Sequence, residues 1–257
     1  MDFEFSDTQH EIRSAILKHC EQFPDSYWLD CDRQKAFPHA FHRSLAEAGW
    51  LGIAMPGDFG GSGLGIAEAA IMMQAIAESG AGMTGASAVH MNIFGLEPVV
   101  LFGTDAQKRR MLPGIVAGID QACFAVTEPD TGLNTTQLKV RAEKRDGGYL
   151  VNGEKIWIST AQVANKMLLL ARTTPLDRIA RKTDGLSLFY TDLDRSRIEV
   201  REIEKMGRHA VDSNLLFIED LWVPDDDRIG PEGDGFRIIL QGLNPERVLL
   251  AAEAIGL

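Results

Sequence analysis

Near residue 121 the chain changes texture, and that change limits the folds open to it more than any single motif. Before it, apolar residues recur at helical spacing; after it, they fall into short runs of β-formers. Ser6 or Asp7 is placed to cap a first helix whose Ile12, Ile16 and Leu17 share a face. Pro38 suits the first turn of another, with Phe41, Leu45 and Ala48 following at helical spacing. AEAAIMMQAIAES (67–79) is apolar on most sides, which predicts a helix central to a bundle. A further helix is predicted within 84–102, and one more over 105–118, bent at Pro113.

Beyond the switch, CFAVTE, QLKVRAEK, GYLVNG, EKIWIS, KMLLLART, LSLFYTDL, IEVREIE and SNLLFIEDLWV read as strands. Asn152-Gly153 predicts a type I′ hairpin between GYLV and EKIWIS, and Asp146-Gly147-Gly148 marks the hairpin before it. Short strands at this spacing predict a compact antiparallel barrel or sandwich. After Pro224, three aspartates and the glycines at 230, 233 and 235, helical spacing returns at Phe236. The expected class is α+β in three parts: a helical domain over 1–120, a β-domain over 121–230, and the first helix of a further helical domain over 231–257.

Composition excludes some functions. The net charge of −11 argues against generic nucleic-acid binding, which needs a basic face to neutralise phosphates. No apolar run approaches the roughly 20 residues of a membrane span. The acidic start MDFEFSDTQHEI lacks a signal-peptide core and an Arg-rich transit pattern, so a cytoplasmic protein is expected. Cys20, Cys31 and Cys123 form no CxxC and are expected as buried free thiols. His39 and His42 are expected on a solvated helix face, and no metal is implied. GDFGGSGLG (57–65) lacks the G-x-G-x-x-G spacing and the acidic strand end that a dinucleotide fold requires. It reads as a surface loop using positive φ.

Three segments carry the chemistry. In FAVTEPDTG (124–132) a β-run ends at Glu128-Pro129, and Thr131-Gly132 allow a tight turn. Backbone N–H groups and the Thr127 hydroxyl can then be aimed at a planar polar ligand, although a plain strand-to-loop junction looks the same. In NGEKIWIS (152–159), Trp157 and Ser159 share one strand face, so an indole can cover a ring while a hydroxyl bonds its edge. The competing reading makes Trp157 barrel core. In LNPER (243–247), Asn244 suits a helix cap and Pro245 a first turn, which would set Glu246 near a positive helix end. A surface or ion-paired glutamate is the plain alternative. Glu253 lies seven residues on, on nearly the same face, and spacing alone does not choose between them.

FAVTEPDTG, NGEKIWIS, KMGRHAVDSNLLFIEDLWVP and PEGDGFRIILQGLNPERVLLAA, in this order, resemble the acyl-CoA dehydrogenase family. PGDFGGSGLG and FGTDAQKRRMLPGIVAG resemble its N-terminal helical domain, so the likeness runs along essentially the whole chain. The resemblance implies a helical domain, a β-domain and a C-terminal four-helix bundle, of which only the beginning is expected here. It implies FAD as cofactor, an acyl-CoA thioester as substrate, a trans-2-enoyl-CoA product and an electron-transfer flavoprotein as acceptor. It also implies a tetramer or dimer in the full-length form, and weak or no activity for this polypeptide alone.

Carried onto this sequence, the family pattern places Phe124, Val126, Thr127, Gly132, Trp157, Ile158 and Ser159 on the flavin. It places Asn244 and Arg247 beside the acyl-CoA. Glu246 in LNPER matches the base as the isovaleryl and long-chain branches carry it; Glu253 does not and is expected to be packing or surface. Where relatives read Gly-Ser-Asp, this chain reads Gly132-Leu133-Asn134, so Leu133 takes a cofactor-contact position without the hydroxyl. Two other readings are a related oxidase and a non-catalytic acyl-CoA-binding or assembly subunit completed by a second chain.

Overall fold

The computed structural model describes residues 4–257, so the first three residues of the acidic start lie outside the described residues. Seven α-helices among the described residues precede the first strand: α1 (Asp7–Cys20), α2 (Asp25–Gln34), α3 (His39–Glu47), α4 (Ile66–Ile76), α5 (Gly82–Phe94), α6 (Glu97–Phe102) and α7 (Asp105–Val116). The cap of α1 falls on Ser6. Its hydroxyl accepts the Gln9 N–H at 3.2 Å, and the Gln9 side chain accepts the Ser6 N–H at 3.1 Å. Thr104 and Gln107 repeat that exchange at α7. Helix α4 is central, with Met72, Met73 and Ile76 fully buried. It passes through a π-turn at Ala77–Ala81, where Gly80 takes φ +92°, and so bends into α5. The stretch 66–102 is long and apolar enough to cross a membrane by length and composition alone, but 78% of its most apolar window is packed inside this layer. The loop at 57–65 uses positive φ at Gly60 and Gly63.

Eight strands among the described residues form one sheet: β1 (Ala122–Ala125), β2 (Arg141–Arg145), β3 (Gly148–Ser159), β4 (Lys166–Arg172), β5 (Leu186–Asp192), β6 (Ile198–Glu202), β7 (Ser213–Pro224) and β8 (Arg228–Ile229). Their order is β6-β7-β3-β2-β4-β5-β8, with β1 lying on β4. The pairing is antiparallel except that β1 runs parallel to β4, from Ala122↔Lys166 to Ala125↔Leu169, and Arg141 of β2 meets Arg172 of β4 in parallel. The sheet is therefore mixed, because the chain enters it from the helical layer in the direction of β4.

The Asn152-Gly153 hairpin does not form. Strand β3 runs unbroken through both residues, with Gly153 at φ +139° and the register against β7 slipping between Val151 and Gly153. Once the long β7 pairs on both sides of it, the Asn-Gly pair makes a bulge instead of a turn. The Asn152 amide instead bonds Asp220 on β7, donating to its carboxylate at 3.1 Å and accepting its N–H at 2.9 Å. The turn at Asp146-Gly147 does form, with Gly147 at φ +80° and Arg145 paired to Gly148.

The last element, α8 (Gly235–Gly256), begins where helical spacing was expected to return, but the reading of LNPER as a helix start fails. Asn244 and Pro245 lie inside it, so Asn244 is not a cap and Glu246 is not near a positive helix end. The helix begins at Gly235, where only glycine fits: a Cβ on it would sit 2.7 Å from the Ser187 backbone of β5. Pro245 brings no N–H to the helix ladder and leaves the Gln241 carbonyl without its usual donor.

Three apolar clusters hold the layers together. One lies among the helices and includes Leu249 of α8. One fills the sheet around Tyr149, Met167 and Phe189. The third, with Leu168, Leu188, Ile238 and Ile239, joins sheet, helices and α8. Phe124 of β1 packs against the first and the third, at the junction of the layers.

Candidate functional site

The floor of the site is the end of β1, the turn after it, and the middle of β3. Glu128 and Thr131 close the turn by exchanging N–H···O bonds of 3.0 Å each. The Thr127 carbonyl accepts the Ile156 N–H at 3.0 Å, which ties this corner to β3. Beneath it lies a residue that sequence patterning did not single out. Lys155 is fully buried, and its ammonium donates to the Val126 carbonyl (2.8 Å), the Leu170 carbonyl (2.7 Å) and Glu128 Oε1 (2.9 Å). Glu128 also accepts the N–H groups of Lys139 (2.6 Å) and Val140 (2.9 Å). All three Lys155 donors are used and the carboxylate is bonded on both oxygens, which is the condition for a tolerable buried ion pair. Burial pushes the Lys155 ammonium down to about 8, with Glu128 opposing that fall.

Just past Lys155 the register of β3 against β7 jumps from Lys155↔Leu216 to Ile158↔Asn214. Trp157 sits in that bulge at φ +62°, uncommon for a bulky residue, with 60% of its surface exposed. The indole is therefore not barrel core. The hydroxyls of Thr127 and Ser159, both on half-buried residues, have no protein partner among the described residues. Gly132 lies beside open space: a Cβ there would meet nothing within 4 Å.

Other expected contacts are restricted. The Ile158 side chain is 1% exposed in the sheet core, and its carbonyl accepts from Asn214 Nδ2 at 2.8 Å. The Val126 side chain is likewise core, and its carbonyl is taken by Lys155. The side chains of these two residues lie in the core and away from a ligand. Leu133 projects fully into solvent. Asn244 and Arg247 are exposed and bonded to each other at 2.8 Å.

Glu246 is half-buried on the face of α8 that also carries Leu249 and Glu253. Burial raises its pKa above the ordinary carboxylate value, the charges of His90 and Arg247 lower it, and Glu253 adds to the rise. Helix α5 reaches the sheet through aromatic contacts. His90 lies 5.4 Å from Phe94, ring to ring, and Phe94 meets Phe124 edge-on at 5.5 Å. Glu253 belongs to the packing and not to the surface: it is fully buried and bonded to His90 Nδ1 at 2.9 Å. Arg208 donates to Ser87 Oγ at 2.6 Å, and burial lowers its pKa while Glu253 raises it. The shared face of Glu246 and Glu253 was visible in the sequence; the residues they meet were not, since His90 is 163 positions from Glu253.

His42 is a further correction. His39 is exposed, but His42 is only 2% exposed and burial pushes its pKa down to about 4. Its Nε2 lies 3.3 Å from Asn92 Nδ2, while Asn92 Oδ1 accepts the Ala122 N–H at 3.1 Å. Nε2 is therefore an acceptor and Nδ1 carries the proton. The Gln121 amide lies 3.4 Å from Nδ1, where its oxygen can accept that proton. The helix face at His42 is covered by the start of β1, which period-3.6 reasoning does not foresee. All three cysteines are buried free thiols.

Residues 6–119 match the family model of the acyl-CoA dehydrogenase N-terminal domain, and residues 123–221 match that of the middle domain. A mitochondrial isovaleryl-CoA dehydrogenase of Oryza sativa subsp. japonica is 28% identical over 256 residues, covering 98% of this chain and 61% of its own length. Among solved structures, the acyl-CoA dehydrogenase from Geobacillus kaustophilus superposes with TM-score 0.90 at 26% identity, over 99% of this chain and 66% of that one. PigA, solved with FAD and proline, gives 0.92 at 26% identity, over 100% of this chain and 66% of that one. The chain thus spans about three-fifths of the rice protein's length.

Proposed function

This chain belongs to the acyl-CoA dehydrogenase family, and from that premise we propose that it forms the flavin-facing part of an enzyme that desaturates an acyl-CoA thioester to the trans-2-enoyl-CoA. FAD is the proposed cofactor, and the residues fit it: an outward indole in a bulge, two unpartnered hydroxyls beside it, and open space at Gly132. Trp157, Ser159, Thr127 and Gly132 would hold it, with Phe124 behind them and the backbone of Val126 and Ile158 alongside. When bound, FAD supplies an acceptor for the β-hydride. The observation that carries the reading is the combination of this platform with a half-buried acid, Glu246, on the helix packed against the adjoining layer.

Glu246 is the proposed base. A carboxylate in water is too weakly basic to remove a thioester α-proton readily, and burial raises its proton affinity toward the operating range. Asn244 and Arg247 are exposed on α8 and would hold the carrier end of the thioester by charge and amide bonding. An electron-transfer flavoprotein is the proposed acceptor, and a homo-oligomer the proposed assembly of the full-length form. A cytoplasmic location completes the proposal; it rests on composition and on the burial of the 66–102 stretch.

The test is a flavin titration of the chain followed by anaerobic addition of acyl-CoA. FAD binding is expected to weaken at least tenfold in Trp157→Ala with the fold intact. Glu246→Gln is expected to keep the flavin and lose its bleaching by thioester. Undiminished bleaching in Glu246→Gln refutes the base, and equal FAD affinity in Trp157→Ala refutes the platform. Offering electron-transfer flavoprotein or oxygen to the reduced protein separates a dehydrogenase from an oxidase.

A further inference from the structure

Lys155, Ile156 and Trp157 are consecutive on β3, and the first two grip both peptides that flank Thr127. The Lys155 ammonium donates to the Val126 carbonyl at 2.8 Å, and the Ile156 N–H donates to the Thr127 carbonyl at 3.0 Å. Val126 and Thr127 lie beyond the last ladder pair of β1, Ala125↔Leu169, so these two bonds take over where the ladder ends. The peptide between Val126 and Thr127 is trans, and its C=O and N–H therefore point in opposite directions. With the carbonyl turned inward to a fully buried ammonium, the Thr127 N–H is turned the other way, where no protein group among the described residues accepts it. Unpaired backbone donors are rare in folded proteins unless water or a ligand meets them. A cation on the carbonyl also polarises the peptide and makes its N–H a stronger donor. The ammonium is fixed in this orientation: its other two protons are held by the Leu170 carbonyl of β4 and by Glu128, the residue after Thr127. Glu128 is in turn pinned by the N–H groups of Lys139 and Val140.

Resting on the flavin reading of this platform, we infer that Lys155 is a positioning residue for the cofactor. It touches no ligand itself. It aims and polarises the Thr127 N–H, so that this donor and the Thr127 hydroxyl are presented together to the polar edge of a flavin ring. Glu128 keeps the ammonium in register with the Val126 carbonyl. A neutral side chain of equal volume at position 155 keeps the core filled but lets the Val126–Thr127 peptide tilt, and the donor loses its direction. The role thus lies in the orientation of one peptide and is separable from the contribution of the ion pair to stability.

The test measures FAD titration and urea unfolding on the same full-chain variants. Lys155→Met/Glu128→Gln removes the ammonium without stranding a buried charge, so its stability is expected to lie well above that of Lys155→Met. Its FAD affinity is nonetheless expected to stay roughly tenfold below that of the native chain. Thr127→Ala is expected to weaken FAD binding about threefold to tenfold in the native chain, and to cost little more in the double variant, where the segment is already misaimed. FAD affinity that returns together with stability in the double variant, or strictly additive losses on adding Thr127→Ala, overturns the proposal. The native chain gives a reading that needs no variant. The ¹⁵N ammonium resonance of Lys155 is expected to shift when FAD is added, through the shared peptide, although the fully buried side chain is out of reach of the flavin. A resonance that FAD leaves in place overturns the proposal whether or not the double variant folds. A native chain that takes up no FAD refutes the flavin platform and this inference with it, whereas native uptake matched by the double variant refutes the role of Lys155 alone.

Discussion

Lys155→Met removes the ammonium at the centre of the site's floor while keeping nearly the same volume. The structure sets the magnitude. The native ammonium satisfies one carboxylate oxygen and two carbonyls at 2.7–2.9 Å, with no exposure to water. In the variant Glu128 stays buried, held by two backbone N–H groups but without its bonded counter-charge, and only the more distant charge of Arg172 is left to it. Breaking a buried pair from one side costs about 3–5 kcal/mol, and the two stranded carbonyls are part of that figure. Against a whole-domain stability of about 5–15 kcal/mol, this leaves a folded but weakened protein. With a urea slope of about 3 kcal/mol/M, the midpoint falls by roughly 1–1.7 M. Lys155→Met/Glu128→Gln is expected to recover much of the loss, because the amide oxygen still accepts a backbone N–H and no charge is stranded. Urea unfolding of the two single variants and the double variant measures the coupling. A loss under about 1 kcal/mol in Lys155→Met, or strictly additive effects, would refute the claim that this pair is a buried, mutually dependent unit.

Other expectations follow from geometry elsewhere. The unfolded chain takes up a proton at His42 near pH 6.5, whereas the folded chain resists until about 4. Stability should therefore fall by up to about 3 kcal/mol as the pH drops through that interval, and His42→Gln should flatten the dependence; an unchanged slope in urea midpoints between pH 7 and 4.5 would count against it. Gly235→Ala puts a methyl group 2.7 Å from the β5 backbone, and overpacking of about 1–3 kcal/mol should lower the melting temperature by roughly 2–12 °C, whereas an unchanged melting temperature would mean that β5 yields freely.

Much of the architecture was legible because local chemistry and global fold agree. The Ser6 cap, the apolar girth of α4 and the turn at Gly147 each act over a few residues, and each forms as read. The failures share a cause. Asn152-Gly153 is a good turn pair, yet β7, more than 60 residues on, pairs along both of its flanks and straightens it. Asn244-Pro245 looks like a helix start, yet the start lies where Gly235 fits against β5.

In the site, the outward Trp157 was one of two readings that strand periodicity allowed, and the bulge decided between them. Lys155 escaped notice because strand parity is lost across that bulge, and its acceptors lie 15–29 positions away in sequence. Glu253 was visible as a position but not as a partner, since nothing near it in sequence announces His90. Long-range polar pairs of this kind leave no periodic trace.

The proline inside α8 bears on the order in which the chain assembles. A helix interrupted by Pro245, and carrying Gly235 and Gly242, has weak intrinsic propensity and will not persist in the unfolded ensemble. What stabilises it is contact with α4, α5, α6 and β5, as far upstream as Gln74, which lies against Gly256. Contacts of such separation form late, after the surfaces they join exist. Helix α8 is thus the clasp that shuts last. Glu246 acquires its partly dry surroundings only when helices and sheet are already in place, so the proposed base emerges as the final product of folding.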